Sequence, residues 1–312
     1  MDTVVTDMPE TTDDQEESLV RTEHFDADGP LEIEVSIGSG RVDIELVDEP
    51  GAGVTLRPHD GGDSGFMHGL SNLMHWVNDR FGDPAAEQDA AVEAVDGARI
   101  ELTGRRLVVR SGHGQMRMMP LELVPVAVTV RAPAGSHLDL RSGEAAVTVT
   151  GAAGRIRVTG GSGDITVDRA DGRAEIKLGS GALRLGPMLG GLRARSGSGE
   201  IEVSSVGGPT TLVTGSGDVW LGAVQSDVMA RTGSGDLVVA DAACGDVELV
   251  TGSGEIRVGV RPGTAAMVDL HSGSGQARSE LTVSDRPPAD GPRLRVRGRT
   301  RSGNAVVTTA AG

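Results

Sequence analysis

The stretch Gly215-Ser-Gly-Asp-Val-Trp-Leu221 returns 18 residues later as Gly233-Ser-Gly-Asp-Leu-Val-Val239, and a third copy stands earlier at Gly161-Ser-Gly-Asp-Ile-Thr-Val167. The serine of this Ser-Gly corner recurs eight times at steps of 18 to 21 residues, at Ser142, Ser162, Ser180, Ser198, Ser216, Ser234, Ser253 and Ser274. A unit this short cannot bury an apolar face alone, so it must stack on its neighbours. The spacing therefore predicts a repeat architecture.

Apolar residues alternate with polar ones on both sides of each corner. Leu192 and Ala194 precede one corner, for example, and Ile201 and Val203 follow it. Alternation with a period of two is typical of a half-buried strand. Each repeat is thus predicted to be a strand, a corner, a second strand and a turn. The fold class is all-β, a single-stranded β-solenoid whose rungs of roughly 18 residues stack about 4.8 Å apart.

The composition agrees with a narrow solenoid. The chain holds 47 glycines but only three phenylalanines, two tryptophans and no tyrosine. Gly38-Ser39-Gly40 and the alternating strand Val126–Val130 fit the same template near the beginning, and Arg301-Ser302-Gly303-Asn304 resembles a last, degraded rung. The sequence predicts that this last rung caps the open edge of the solenoid, where its arginines would oppose edge-to-edge aggregation.

Charge and hydropathy suggest how the chain is organised. Residues 1–19 are polar and acidic and are predicted to be a disordered tail, and residues 20–310 are predicted to form the solenoid domain. No basic start followed by an apolar run is visible, no stretch is long enough to span a membrane, and Cys244 is the single cysteine. These features predict a cytoplasmic protein and leave association with the cell envelope open.

The repeated Ser-Gly-Asp corners resemble those of a bacterial β-strand-repeat family of "putative adhesins", also called toastrack-like. The stretch from Phe25 to Glu45, and that from Val126 to Asp139 with its Ala132-Pro-Ala-Gly-Ser136, resemble the actinobacterial version. The resemblance covers residues 20–310. It implies a right-handed β-helix similar in architecture to bactofilins, a role linked to cell-envelope stress or adhesion, and no established catalytic residues.

Residues 60–84 break the strand pattern and are predicted to form a helical insertion. One apolar stripe at helical spacing, with Trp76 at its edge, consists of Phe66, Leu70, Leu73, Met74, Val77 and Phe81. This helix is interpreted as a cover for one end or face of the solenoid, with a docking helix for another protein as the alternative. Acidic residues flank the stripe, among them Asp63 and Asp83, so membrane contact is disfavoured.

Candidate chemistry is sparse. Acidic residues follow most corners, at Asp164, Glu200, Asp218, Asp236 and Glu255. They are interpreted as Asx-type corners whose carboxylates accept backbone N–H bonds, with a calcium-binding ladder as the alternative. The histidines have no zinc-site spacing, and no nucleophile motif or phosphate loop occurs. The sequence therefore predicts no enzyme, no cofactor and no metal, and the near absence of aromatic residues disfavours nucleic acid.

The outward positions suggest a contact site. Trp220 and Val238 occupy equivalent positions in consecutive repeats and are expected to lie side by side on the outer surface. The predicted function is a non-catalytic scaffold or protein-interaction module in cell-envelope stress or regulation, whose contacts are the helix stripe with Trp76 and then Trp220 with Val238. One alternative is a bactofilin-like protein that assembles with itself end to end, through its acidic first rungs and arginine-rich last rung. The other is a surface adhesin with a calcium-binding acidic ladder.

Overall fold

The computed structural model describes residues 20–59, 92–111, 115–116, 119–120, 124–282 and 291–311. Strands dominate these residues, which confirms the all-β solenoid. The strand bounds are β1 Arg21–Phe25, β2 Glu32–Val47, β3 Ala52–Pro58, β4 Arg99–Thr103, β5 Arg106–Arg110, β6 Gln115–Met116, β7 Met119–Pro120, β8 Val126–Pro133, β9 His137–Ala153, β10 Ile156–Gly160, β11 Ile165–Ala170, β12 Ala174–Ser180, β13 Leu183–Met188, β14 Leu192–Ser198, β15 Ile201–Val206, β16 Thr210–Ser216, β17 Val219–Val224, β18 Val228–Ser234, β19 Leu237–Ala242, β20 Gly245–Ser253, β21 Ile256–Val260, β22 Ala266–Ser274, β23 Ala277–Ser279, β24 Leu294–Ser302 and β25 Ala305–Thr309.

The rungs build two stacks of hydrogen-bonded strands that meet at the Ser-Gly corners. Stack A contains, in spatial order, β4, β5, β2, β9, β10, β12, β14, β16, β18, β20, β24 and β22. Stack B contains β1, β3, β8, β2, β9, β11, β13, β15, β17, β19, β21, β25 and β23. The long strands β2 and β9 turn a corner and contribute one half to each stack. Among these strands, the antiparallel pairs are β1 with β3, β3 with β8 and β4 with β5.

The core consists of inward-facing ladders of aliphatic side chains. Ile165, Leu183, Ile201, Val219, Leu237 and Ile256 occupy one equivalent position in successive rungs, and each is at most 1% exposed. Every such residue packs against its counterparts in the neighbouring rungs, so each rung buries the apolar surface of the rung before it. This arrangement accounts for the period of two in the sequence.

The corner glycines are required by the close approach of consecutive rungs. Gly217 has a φ of 128°, in the left-handed region that side chains disfavour. A Cβ atom added to Gly217 would lie 2.2 Å from the carbonyl oxygen of Gly199, its counterpart in the preceding rung. Gly199 has the same relation to Gly181, at 2.1 Å. The glycine therefore recurs because each corner stacks directly on the backbone of the last one.

The last rung in sequence does not lie at the end of the solenoid. Strand β24 pairs with β20 on one side and β22 on the other, and β25 likewise lies between β21 and β23. The prediction that the arginine-rich rung caps an open edge is therefore wrong. The chain first places β22 and β23 one position farther out, and β24 and β25 then fill the gap. Alternation of the sequence indicates strands but not the order in which they stack.

The opposite end is covered by antiparallel strands and a short helical segment at residues 92–96. Ala94 and Val95 are buried against the core, at 0% and 2% exposure. The guanidinium of Arg21 in β1 donates a hydrogen bond to the carbonyl of Ala98 at 2.6 Å, which ties β1 to the chain leading into β4. The apolar ladders are thereby closed from solvent at this end.

The predicted acidic tail at residues 1–19 and the predicted helical insertion at residues 60–84 lie outside the described residues. The part of the chain that is described contains no helix long and apolar enough to cross a bilayer.

Candidate interaction surfaces

The outer face of stack B carries an exposed tryptophan. Trp220 in β17 and Val238 in β19 are direct register partners, as their equivalent sequence positions suggested. Trp220 is 36% exposed. Its ring lies along the strand over Gly222, where an added Cβ would come within 3.2 Å of the indole Cη2 atom. The indole thus packs against the backbone of Gly222, where there is no side chain to displace it, and part of the ring remains open to solvent.

A shallow groove of about 640 Å³ continues from Val238 toward the β23 end of stack B. We call it the stack B groove. Its outward-facing lining combines apolar, charged and amide side chains. These residues include Val238, Ala240, Glu255, Arg257, Gly259, Gln276, Arg278, Glu280, Asn304, Val306 and Thr308. Trp220 borders the groove through its neighbour Val238. This surface therefore offers an aromatic side chain beside a concave strip that can accept a partner's side chains.

The other predicted contact residues lie outside the described part of the chain. These are Phe66, Leu70, Leu73, Met74, Trp76, Val77 and Phe81, and their role as a docking stripe stays a prediction. Of the two sets of contacts expected from the sequence, only the pair of Trp220 and Val238 can be placed on the solenoid.

The acidic residues after the corners bond to the next rung. The carboxylate of Asp218 accepts a hydrogen bond from the backbone N–H of Asp236 at 2.8 Å, and the carboxylate of Asp236 accepts one from Glu255 at 2.7 Å. The sequence predicts Asx-type corners whose carboxylates accept bonds from nearby backbone N–H groups. The carboxylates do accept such bonds, and the donors belong to the next rung. The reason is that stacking places the next corner's N–H directly over the side chain.

These carboxylates do not gather into a metal site. In the described portion of the chain, no group of three or more His, Cys, Asp or Glu residues could hold a metal ion. Hydrogen bonds to backbone N–H groups already occupy oxygens of Asp164, Asp218 and Asp236. The geometry thus favours the structural interpretation of the acidic ladder over the calcium-binding one.

A buried carboxylate in stack A was missed by sequence reasoning. Glu34 in β2 is 7% exposed, and it accepts hydrogen bonds from Arg106 at 2.5 Å and Arg110 at 2.6 Å. The bond from Arg106, followed by that from Arg110, holds the pKa of Glu34 below its ordinary value of 4.5. Neither arginine was assigned to a strand from the sequence. The alternation of Leu107 with Val109 was the available signal, since both are buried in β5.

Stack A also presents a cluster of positive charge, which we call the basic face. Its members are exposed basic side chains at outward positions in, or directly before, the neighbouring strands β9, β10, β12 and β14. They are Arg141, Arg155, Arg157, Arg173, Lys177, Arg193 and Arg195. Two carboxylates lie among them. Asp139 is 3.4 Å from Arg157, and Glu175 is 3.1 Å from Lys177.

Four of the seven basic side chains form no salt bridge within the described part of the chain. Arg155, Arg173, Arg193 and Arg195 form no ion pair with any residue that the structure describes. The cluster is not visible in the sequence because its members are spread over 55 positions, from residue 141 to residue 195. Their common signal is an outward position on the strand that precedes each corner, and the register of the parallel strands places these positions side by side.

Comparison with known proteins extends the sequence resemblance. The model of the family described as Toastrack DUF4097 matches residues 190–291, and no curated protein matches the chain. Three solved structures illustrate the structural likeness. A protein titled a "putative adhesin" from Bacteroides fragilis is 10% identical, with 93% of this chain and 96% of that chain covered and a TM-score of 0.40.

A second protein with that title, from Parabacteroides distasonis, is 13% identical, with 92% of this chain and 96% of that chain covered and a TM-score of 0.42. A protein titled a "putative lipid binding protein" from the same species is 12% identical, with 94% and 95% covered and a TM-score of 0.33. The family match confirms the toastrack-like resemblance predicted from the corner repeats, and residues 190–291 are the part of the chain that matches the Toastrack model.

Proposed function

We propose that this chain is a non-catalytic β-solenoid scaffold that binds a protein partner along the stack B groove beside Trp220. The observation that carries the proposal is the exposed indole of Trp220, paired with Val238 at the end of a groove of about 640 Å³. Tryptophan is enriched among the residues that dominate binding energy in protein interfaces. A solvent-exposed indole next to a concave strip supports a protein-binding role for this face.

The ladder of backbone hydrogen bonds supports a scaffold role. The groove strands β19, β21 and β25 are each paired on both sides, and only β23 is a terminal strand, so most of the lining residues are held at fixed spacing. A rigid surface loses little conformational entropy on binding, which favours association. We place this activity at the cytoplasmic side of the cell envelope, in envelope stress or its regulation, in line with the toastrack-like resemblance.

A second candidate function is assembly of copies end to end, as in bactofilins. The observation that favours it is the partly open end at β22, where Met267 is 56% exposed and the core-facing Val268 and Leu270 are only partly buried. The arginine-rich strand proposed earlier as one contact is internal, so this candidate now depends on the edges of β22 and β23. Unpaired strand edges are the usual templates for such contacts.

The test compares three variants in a cross-linked pull-down from the native host. Trp220→Ala and Val238→Asp alter the groove, and Leu189→Ala is the matched control because Leu189 is a large apolar residue, 43% exposed, elsewhere on the surface. All variants must first match the parent chain in circular dichroism and melting temperature. We expect a specific partner to be retained by the control and weakened about 30-fold or more by Trp220→Ala.

Retention of every specific partner by both groove variants would overturn the protein-binding proposal. Sedimentation velocity over a range of protein concentrations separates the second candidate from the first. A series of growing species that Met267→Asp removes supports end-to-end assembly, whereas one species of constant size at all concentrations excludes it.

A further inference from the structure

We infer that the basic face of stack A is a docking surface for a bilayer that contains anionic phospholipid. The inference concerns the side of the solenoid opposite the stack B groove, and it does not depend on the partner proposed for that groove. Its evidence is the arrangement of seven exposed basic side chains on four neighbouring parallel strands.

The shape of the basic face suits a flat partner. Its strands are neighbours in one stack, about 4.8 Å apart, and its basic residues occupy outward positions that alternate with buried ones. The side chains of Arg141, Arg157 and Lys177 are 57%, 56% and 54% exposed, so more than half of each remains open to solvent beside its acidic neighbour. An extended layer of cationic groups can contact many lipid headgroups at once.

The net charge of −16 does not prevent this contact. Interactions between exposed charges are screened beyond about 8–10 Å at physiological salt. The carboxylates of stack B are separated from the basic face by the core and by their own side chains, a distance that exceeds about 10 Å. At contact, an anionic surface therefore senses mainly the local excess of seven basic side chains over Asp139 and Glu175.

The remaining side chains of the basic face disfavour other classes of partner. Between the charged residues lie His137 and Thr159, and these outward positions of β9, β10, β12 and β14 carry no large apolar side chain. A protein interface usually has an apolar core, and single-stranded nucleic acid usually stacks on aromatic side chains. A charged, apolar-free surface is instead typical of reversible attachment to anionic headgroups.

A small free anion is also a poor fit. At the β2 side of the basic face there is a cleft of about 240 Å³, which includes Arg155 and Arg157. The same cleft contains the carboxylates of Glu32, Glu34 and Asp139, so an enclosed anion would meet like charge on several sides. Headgroups approaching from above the sheet reach the arginines without entering this cleft.

This orientation leaves the proposed protein site accessible. If stack A rests on the bilayer, the stack B groove with Trp220 faces away from it, because the two stacks form opposite sides of the solenoid core. A scaffold of this kind could present a partner at the membrane while both surfaces are occupied.

The test is co-sedimentation of the full chain with vesicles. One set contains equal parts of phosphatidylcholine and phosphatidylglycerol, and the other contains phosphatidylcholine alone. The double variant Arg193→Ala with Arg195→Ala removes two positive charges from the basic face. The matched control, Arg184→Ala with Arg257→Ala, removes the same charge from the outer face of stack B.

We expect binding to the anionic vesicles alone, weakened by added salt and reduced about 30-fold by the stack A pair. The stack B pair should leave binding nearly unchanged, and Arg193→Lys with Arg195→Lys should restore most of it. Failure of the parent chain to sediment with anionic vesicles would overturn the inference, as would equal loss with both alanine pairs. Retention of duplex DNA or heparin in place of vesicles would assign the face to a soluble polyanion instead.

Discussion

The two outer faces of the solenoid differ in charge although they share one core and one backbone pattern. Over the rungs from residue 137 to residue 206, stack A exposes the seven members of the basic face and two carboxylates. In stack B, the same rungs expose Glu144, Asp164, Asp168, Glu200 and Glu202 against two bases, Arg169 and Arg184. Inward positions are fixed by stacking, whereas outward positions are free to carry function.

The corner is the point at which the charge changes sign. Arg193 and Arg195 precede the corner at Ser198, and Glu200 and Glu202 follow it. Because the corner passes the chain from stack A to stack B, a short-range alternation in the sequence becomes a separation across the whole molecule. The net charge of a solenoid is therefore a poor guide to its partners, since each face has its own balance of acidic and basic side chains.

The largest expected loss of stability comes from a corner substitution, which should destabilise both stacks together. Gly217→Ala places a Cβ atom 2.2 Å from the carbonyl oxygen of Gly199, at a φ of 128°. Strain and overpacking together should lower the free energy of unfolding by about 2–6 kcal/mol. Urea denaturation followed by circular dichroism measures this change.

Gly53→Ala is the control for that experiment, because an added Cβ at Gly53 meets no atom within 4 Å. It should change the stability by less than about 1 kcal/mol. Similar losses for both substitutions would contradict the stacking explanation for the repeated corner glycine.

A smaller effect is expected at Glu34, whose hydrogen-bond partners Arg106 and Arg110 both lie in stack A. Glu34→Gln weakens two hydrogen bonds from arginine to a buried carboxylate, so the free energy of unfolding should fall by about 1.5–3 kcal/mol at neutral pH. The pKa of Glu34 is lowered on folding, so its stabilising contribution is complete well above 4.5 and is lost as the pH falls through the lowered value. The difference between the two proteins should therefore shrink in acid.

Glu101→Gln is the matched control, because Glu101 pairs with Arg99 on the same side of the molecule but both side chains are at least half exposed. That substitution should have little effect on stability at any pH. A constant gap between parent and Glu34→Gln down to strong acid would show that the carboxylate charge is not what stabilises β5 against β2.

The sequence predicts those parts of the fold in which a residue type is determined by its local position in the repeat. The buried ladder through Ile165 and Leu183 and the corner glycines follow from alternation and spacing, both of which are local. The placement of β24 between β20 and β22 could not be predicted, because parallel rungs of similar sequence can pair in more than one order. Charge clusters such as the basic face depend on register, so they emerge only when the stacking is known.

The candidate site was predictable to a lesser degree. The pairing of Trp220 with Val238 follows from the 18-residue period, but the groove beyond it requires β25, which comes from a distant part of the chain. Glu34 was missed because its partners Arg106 and Arg110 are 72 and 76 residues away in sequence. Long-range pairing of this kind leaves no periodic signal.

The smallest change in the free energy of unfolding is expected on the stack B side, at Asp218. Asp218→Ala removes the acceptor for the backbone N–H of Asp236 and should cost about 0.5–1 kcal/mol, since the site is exposed. Asp218→Asn keeps an acceptor oxygen, as Asn304 does for the N–H of Gln276 at 3.0 Å, and should retain most of the stability in urea denaturation. If the asparagine variant were as unstable as the alanine variant, the negative charge itself would be structural. If it is stable, the corner residues hold the rungs together through an acceptor atom, and the acidity of the face is available for function.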